Sequence, residues 1–128
     1  MLINREKVLY PELSYEICGL LYEIHNELGP ERSEMSYADA LEQKLKLKDV
    51  PYKRETSLPA SFIGEGSRRN VPDFVIKGII VIDLKAKRIV TKEDYFQMRR
   101  YLAVSGLKLG LIVNFRQKYL NPKRVLYS

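Results

Sequence analysis

The sequence predicts an α/β fold in which helices flank a mixed central β-sheet. Two segments with apolar residues at helical spacing occupy residues 11–48, and shorter apolar runs with strand character follow from residue 50 onward. One further helical segment separates two of these runs. A chain of 128 residues suits one domain, so we expect the order α-α-β-β-β-α-β-β within a single domain covering residues 1–128.

Two helices are predicted before the first strand. The first covers Pro11–Leu28, because Pro11 suits a first helical turn and Gly29-Pro30 ends the segment. The second covers residues 33–48, with Ser33 as its N-cap. Their inner stripes are Leu13, Ile17, Leu20, Leu21, Ile24 and Leu28 in the first helix, and Tyr37, Ala38, Leu41 and Leu45 in the second.

Five strands and a third helix are predicted in the remainder. The strands cover residues 50–58, 71–76, 79–86, 107–115 and 124–127, and residues 64–67 form a Gly-rich loop. Thr91 followed by Asp94 resembles a capping box that opens a helix over Lys92–Ser105, and Gly106 ends it. Because this helix lies between two strands, a right-handed crossover would make those strands parallel neighbours.

Two charged residues interrupt the apolar run at residues 79–86. Strand alternation places Asp83 and Lys85 on one face of a strand that is otherwise apolar on both faces. Because burying unpartnered charges is costly, these residues require compensation. One interpretation is a structural Asp83–Lys85 ion pair, with Asp73 beginning the preceding strand. The other is a functional site, and these residues alone leave both open.

The register of the hairpin decides whether Asp73 joins this face. A three-residue connection, Lys77-Gly78-Ile79, pairs Ile76 with Ile80 and places Asp73 opposite Asp83, with Cβ atoms about 4.5–5.5 Å apart. A two-residue turn instead sends Asp73 to the other face. The functional interpretation therefore requires the longer turn, a bulge or a twist, and Gly78 makes a bulged turn accessible.

Two carboxylates at that distance repel each other unless a cation lies between them. Mg²⁺ suits such a pair, because it takes one or two carboxylates and completes its octahedron with water and phosphate oxygens. Lys85 would orient or help to deprotonate an attacking water and balance charge on a phosphate. The pattern of Asp73, Asp83 and Lys85 therefore indicates phosphodiester chemistry.

Several further segments resemble a known family, the small bacterial and archaeal GxxExxY proteins, which are assigned to the PD-(D/E)XK nuclease superfamily. The resemblance runs from about Leu13 to Arg124 and implies a restriction-endonuclease-like core and metal-dependent nuclease activity with Mg²⁺ or Mn²⁺. The matching pieces are His25-Asn26-Glu27-Leu28-Gly29-Pro30, Glu34-Met35-Ser36-Tyr37, Asp73-Phe74, Asp83-Leu84-Lys85-Ala86, Gln97, Tyr101-Leu102 and Leu111-Ile112-Val113-Asn114-Phe115.

The resemblance also implies roles for individual residues. Asp73 corresponds to the aspartate of the "PD" element, and Asp83 with Lys85 corresponds to the "(D/E)xK" element. Glu34 matches the glutamate of the name motif and is a candidate metal or water ligand. Gln97 matches a glutamine on the next helix that contacts a phosphate or positions Lys85. The sequence departs from the family pattern twice, with Glu31 in place of Gly and Asp83 in place of the usual Glu.

Charge is divided unevenly along the chain. Residues 1–67 carry a net charge of −4 and residues 68–128 a net charge of +10, within a total of +6. Such a split favours a nucleic-acid partner slightly over a merely solvated basic surface. Under the nuclease hypothesis, DNA is expected rather than RNA. Arg68, Arg69, Lys87, Arg88, Lys92, Arg99 and Arg100 flank the motif, and any one of them is as readily a solvated surface residue as a phosphate contact.

Three functions compete on these observations. The first is a nuclease that uses Asp73, Asp83, Lys85 and Glu34. The second is a non-catalytic nucleic-acid-binding module with a nuclease fold, and the third is a subunit whose partner carries the activity. An uncovered sheet edge would allow a homodimer in the third case.

The remaining residues restrict the types of catalytic site and the cellular location that we expect. His25 is the single histidine, which leaves no histidine cluster for a metal or a Ser-His triad, and a structural role near the helix end is expected. The single cysteine, Cys18, cannot form an internal disulfide and is expected to be a small core residue. Residues 1–7 lack the apolar region of a signal peptide, and no apolar run is long enough to span a membrane, so we expect a cytoplasmic protein.

Overall fold

A computed structural model describes residues 10–127 of the chain; the segment inspected for a signal peptide lies outside the described residues. Its elements follow the predicted order. They are α1 (Pro11–Leu28), α2 (Glu34–Leu47), β1 (Tyr52–Arg54), β2 (Phe74–Ile76), β3 (Ile80–Lys85), α3 (Lys92–Ser105), β4 (Leu109–Asn114) and β5 (Lys123–Leu126). The first and third helices have the predicted bounds, and Ser33 is the N-cap of α2, as expected.

The five strands form one mixed sheet in the order β1-β2-β3-β4-β5. All neighbouring pairs are antiparallel except β3 and β4, which are parallel and joined through α3. This arrangement confirms the predicted crossover and the predicted fold class, a mixed sheet flanked by helices. The first four strands are two to six residues shorter than predicted, and the largest difference is β1, which has three residues where residues 50–58 were expected. The last strand, β5, has the predicted length and begins one residue earlier.

The first strand ends early because the chain turns away from the sheet after Arg54. Glu55 has a positive φ of 51°, a conformation that extended strands do not use. Further along, the Leu58 N–H donates to the Asn70 carbonyl oxygen at 2.7 Å, so this stretch pairs with the end of its own loop. The pattern of residues 50–58 could not reveal this partner, which is distant in sequence.

Successive side chains of β3 point alternately into two separate cores, one on each face of the sheet. Ile80, Ile82 and Leu84 point to the core that packs against α1 and α2, whereas Val81 points to the smaller core beneath α3. By the same alternation Asp83 and Lys85 lie on the α3 side. The charged residues of β3 are therefore covered by the third helix rather than by the first two.

The loop between α1 and α2 is fixed by an aromatic residue of the core. The Tyr37 ring stacks on Phe115 at 4.1 Å between centroids, and its hydroxyl donates to the Gly29 carbonyl. The same hydroxyl accepts from the Arg32 N–H at 3.0 Å. These contacts hold the start of α2 beside the end of β4. Tyr37 is fully buried, as its place on the inner stripe predicted.

His25 has the structural role that was predicted for it, and Cys18 packs against the core but is only partly buried. The buried His25 ring bonds through Nε2 to the Gln117 carbonyl at 2.8 Å, which joins α1 to the connection between β4 and β5. Cys18 is a free, partly buried thiol packed against the larger core. None of the three helices is long and apolar enough to cross a bilayer, within the part of the chain that the structure describes.

Candidate active site

The hairpin of β2 and β3 has the register that brings two acidic residues together. Lys77 and Gly78 both have positive φ, and the Ile79 N–H returns to the Ile76 carbonyl at 2.9 Å. Ile79 is then one extra residue on the second strand, so Ile76 pairs with Ile80. The three-residue connection is thus the one present, and it continues the register to place Asp73 opposite Asp83.

Backbone amides hold the two carboxylates in place. The Leu84 N–H donates to Asp73 Oδ2 at 2.6 Å, and the Asp73 N–H donates to Asp83 Oδ1 at 3.3 Å. Asp83 is only 5% exposed, and Asp73 is half-buried. Each carboxylate is therefore fixed by the backbone that carries the other, which makes the pair a rigid element of the sheet.

Lys85 places its ammonium group against this pair. Its Nζ lies 3.1 Å from Asp83 Oδ2 and donates to Gln97 Oε1 at 3.2 Å. Gln97 is on α3, so the helix covers the lysine from the side opposite the strand. The structure thus brings Asp73, Asp83, Lys85 and Gln97 into one cluster, with Gln97 in contact with Lys85.

A further acidic residue, Asp94, belongs to the same cluster and was expected only as a capping residue. Its carboxylate accepts from the Thr91 N–H at 2.8 Å, as the capping-box pattern predicts. It also lies 3.7 Å from Lys85 Nζ and 2.5 Å from Lys87 Nζ. Asp94 is 8% exposed, so one buried carboxylate serves the helix start and two lysines together.

Glu34 lies at the margin of this cluster. It opens α2, on the other side of the sheet from α3, and its side chain is exposed. Its negative charge nevertheless contributes to raising the pKa of both Asp73 and Lys85. Glu34 therefore acts on the site electrostatically, and its role as a ligand stays a prediction.

Burial disfavours ionisation of both aspartates, and the negative charge of Asp83 adds to this effect at Asp73. Burial, followed by the charge of Asp83, raises the pKa of Asp73 to about 7. Burial also raises the pKa of Asp83, although the neighbouring Lys85 ammonium opposes this shift. Two neighbouring aspartates with raised pKa values are typical of a site in which a bound cation would stabilise their ionised forms.

The pKa values of Lys85 and Asp94 shift in the directions that keep both groups charged. Burial disfavours the Lys85 ammonium, but the charges of Asp83, Asp94 and Glu34 together outweigh it and raise the pKa of Lys85. Burial likewise opposes the Asp94 carboxylate, yet the hydrogen bond from Lys87 and the Thr91 N–H lower its pKa overall. Lys85 is consequently a protonated donor in this arrangement rather than a proton acceptor.

The donor set fits a hard divalent cation. Asp73 and Asp83 supply two adjacent carboxylates, which is the number of protein ligands that Mg²⁺ commonly takes before water and phosphate complete its shell. Within residues 10–127 there is no grouping of three or more His, Cys, Asp or Glu side chains that could hold a metal. A fully protein-enclosed site of the structural zinc type is therefore not formed by the described residues.

A mixed sheet whose central hairpin carries two apposed aspartates and a lysine on one face defines a class of protein, the restriction-endonuclease-like nucleases. Residues 11–125 match the model of the PD-(D/E)XK nuclease superfamily, and the chain belongs to that superfamily. No curated protein and no solved structure matches the chain. The superfamily indicates a nuclease-type enzyme that acts on nucleic acid.

Proposed function

We propose that the protein is a Mg²⁺-dependent nuclease that hydrolyses phosphodiester bonds in DNA, with Mn²⁺ able to replace Mg²⁺. The observation that carries this proposal is the apposition of Asp73 and Asp83 beside the Lys85 ammonium group. We further propose that the chain is a member of the GxxExxY group, forms one domain and acts in the cytoplasm.

In this proposal Asp73 and Asp83 hold the metal, and Glu34 binds it directly or through water. A bound divalent cation supplies Lewis-acid polarisation of the phosphoryl group and a more acidic water. Lys85 donates to a non-bridging phosphate oxygen or to the attacking water, and its retained proton stabilises developing negative charge. Gln97 fixes the direction of the Lys85 side chain through the 3.2 Å contact.

The decisive experiment measures cleavage of end-labelled DNA while Mg²⁺ or Mn²⁺ is titrated. Wild type should cleave only with metal, and Asp73→Ala and Lys85→Ala should each reduce the rate by about a hundredfold or more. Asp49→Asn and Lys48→Ala serve as matched controls, because both residues are exposed near the C-terminal end of α2. Cleavage that persists in both active-site variants would reject the assignment.

The basic composition of residues 68–128 favours a second candidate, a nuclease fold that holds nucleic acid without cutting it. The same protein preparations separate the two. Salt-sensitive DNA binding that survives Asp83→Asn, together with no cleavage by wild type in either metal, would favour the binding module. A homodimer is a further part of the proposal, since β1 and β5 each have a free edge within the described sheet.

A further inference from the structure

The loop that joins β1 to β2 carries two large apolar side chains at its outermost turn. Phe62 is 63% exposed and Ile63 is fully exposed. We call these two residues the apolar tip. Single exposed apolar residues are ordinary on protein surfaces, but two adjacent large ones at a turn are typical of a contact with another molecule.

The backbone of the turn fixes the direction of the apolar tip. The Glu65 N–H donates to the Phe62 carbonyl at 3.2 Å, which closes a β-turn with Ile63 at its corner. Gly64 follows with a φ of 100°, a conformation that a side chain at this position would strain. The turn therefore presents Ile63 outward as a consequence of its geometry.

A polar network beneath the turn keeps the loop in this shape. Glu65 Oε1 accepts from the Ser61 N–H at 2.6 Å and from Asn70 Nδ2 at 2.8 Å. Asn70 is 2% exposed, and its Oδ1 accepts from Arg100 Nε at 2.9 Å. The loop is thus fixed to α3 by its polar residues, and the two residues of the apolar tip are exposed beyond this network.

The loop leads directly into the candidate active site. Asn70 precedes Asp73 by three residues, and the intervening Val71 carbonyl accepts from the Tyr101 hydroxyl at 3.4 Å. Arg68 and Arg69, both exposed, lie between the apolar tip and this point. A basic pair and an apolar pair therefore lie on the same loop, which runs through Asn70 into the strand that begins beside Asp73.

We propose that the apolar tip inserts against unstacked or unpaired bases of DNA, while Arg68 and Arg69 contact the adjacent phosphates. This inference rests on the proposed function, which supplies the nucleic acid and its orientation at Asp73. Apolar wedges of Phe and Ile between base steps, flanked by arginines, are a known means of binding distorted DNA. The substrate class would be DNA with a local break in stacking close to the cleaved bond.

Charge decides between DNA and a protein as the occupant. An apolar protein surface would match Phe62 and Ile63 but gives no role to two adjacent exposed arginines. Phosphates on both sides of an opened base step match the arginines and the apolar tip together. The single acidic side chain within the turn, Glu65, accepts hydrogen bonds from Ser61 and Asn70 within the loop, and the positive charge of Arg100 offsets part of its negative charge.

The test compares two labelled DNAs of equal length, a fully paired duplex and one with a three-nucleotide bulge. Binding is measured by fluorescence anisotropy in EDTA, so that cleavage does not intervene. Phe62→Ser/Ile63→Ser should lose about tenfold or more in affinity for bulged DNA, the effect of removing a base stack, with little change on the duplex. Leu47→Ser, which alters a 73% exposed residue at the far end of α2, should bind as wild type.

The arginines have a different expected signature. Arg68→Ala/Arg69→Ala should weaken binding to both DNAs and reduce the salt dependence of each, because phosphate contacts carry no information on pairing. All of these residues are exposed, so the variants should keep the wild-type thermal midpoint.

Bulged DNA that binds equally well to wild type and to the tip variant would overturn the inference and leave a protein as the occupant of the apolar tip. Absence of wild-type binding to bulged DNA at low salt would overturn it as well. Cleavage in Mg²⁺ is scored separately. A tip-dependent preference without cleavage would reject the nuclease proposal alone, whereas cleavage with no effect of the tip variant would reject this inference alone.

Discussion

At the scale of single residues, Asp94 links the fold to the chemistry. A carboxylate in the first turn of a helix is stabilised by the helix dipole and by capping, whatever else surrounds it. Here the same carboxylate also neutralises Lys85 and Lys87 on the neighbouring strand and its extension. The start of α3 and the lysine of the candidate site are therefore set by one side chain, which makes Asp94 a positioning residue.

Asp94→Asn tests this role. The amide oxygen can still accept from the Thr91 N–H, so the helix start should survive, but the negative charge beside Lys85 is lost. Because that charge raises the pKa of Lys85, its removal lowers this pKa. We expect a lower kcat and an alkaline limb of the pH–rate profile that moves to lower pH.

Glu93→Gln is the matched control for this experiment. It removes an equal charge from the same helical turn, and Glu93 is exposed. A pH–rate profile that moves equally in both variants would mean that the shift reflects general surface charge, and Asp94 would then have no specific effect on Lys85.

The residues of the site differed in how far the sequence could predict them. Asp83 and Lys85 stand out because they interrupt an apolar strand, whereas Asp73 depended on a turn length that the sequence left open. Gln97 was expected only through the family resemblance. Asp94 was not predicted as a site residue, because the capping pattern already accounted for its presence. Its contact with Lys85 arises only when α3 crosses over β3.

At the scale of elements, α3 packs closely against the sheet at a position where β4 has a glycine. Gly110 in β4 lies opposite Val81, on the face that α3 covers. A Cβ at this position would lie 2.7 Å from Met98 Cγ, and Met98 is only 1% exposed. The close approach of helix and strand therefore depends on glycine here.

Gly110→Ala should destabilise the protein by about 1–3 kcal/mol, because the added methyl group forces Met98 or the helix to move. Movement of α3 would also displace Gln97 and Asp94 from Lys85 and reduce cleavage. Gly19→Ala is the control, since Gly19 lies within α1 with open space around its Cα, and alanine there should stabilise by about 0.5–1 kcal/mol. Urea unfolding of both variants measures the difference, and equal effects of the same sign would contradict this packing argument.

The elements themselves were predicted with uneven success, for a physical reason. Helices α1 and α3 carry their own boundaries in the form of Pro11, the Thr91–Asp94 capping pair and the glycines that follow each helix. Strand ends depend instead on where a neighbouring strand stops, which local sequence does not record. The loop that shortens β1 is fixed by the Asn70–Arg100 contact across thirty residues, beyond the reach of any periodic pattern.

At the scale of the whole molecule, net charge and the local charge of the site have opposite signs. The chain carries +6 overall, with the excess in residues 68–128, yet its central hairpin contains two apposed aspartates. A positive exterior attracts nucleic acid towards the protein, and the acidic pair would repel a phosphate group unless a cation neutralises it. Metal binding should therefore be coupled both to protonation and to the stability of the fold.

This coupling gives a prediction for the metal-free protein. The pKa of Asp73 is about 7 in the folded state against an ordinary value of 3.8, so folding favours its protonated form. The associated stability is present in full below pH 3.8 and is lost progressively as pH rises through 7. In EDTA, the free energy of unfolding of wild type should fall relative to that of Asp73→Asn between pH 5 and 8.

Urea unfolding at several pH values, with and without Mg²⁺, measures this effect. At pH 8 Mg²⁺ should stabilise wild type, because a ligand that binds only the folded state adds to the free energy of unfolding, and it should stabilise Asp73→Asn much less. Asp49→Asn, which neutralises an exposed aspartate, should follow wild type at every pH. If wild type and Asp73→Asn instead gave parallel pH curves, Asp73 would ionise normally in the folded protein, and the electrostatic argument for a cation between the two aspartates would fail.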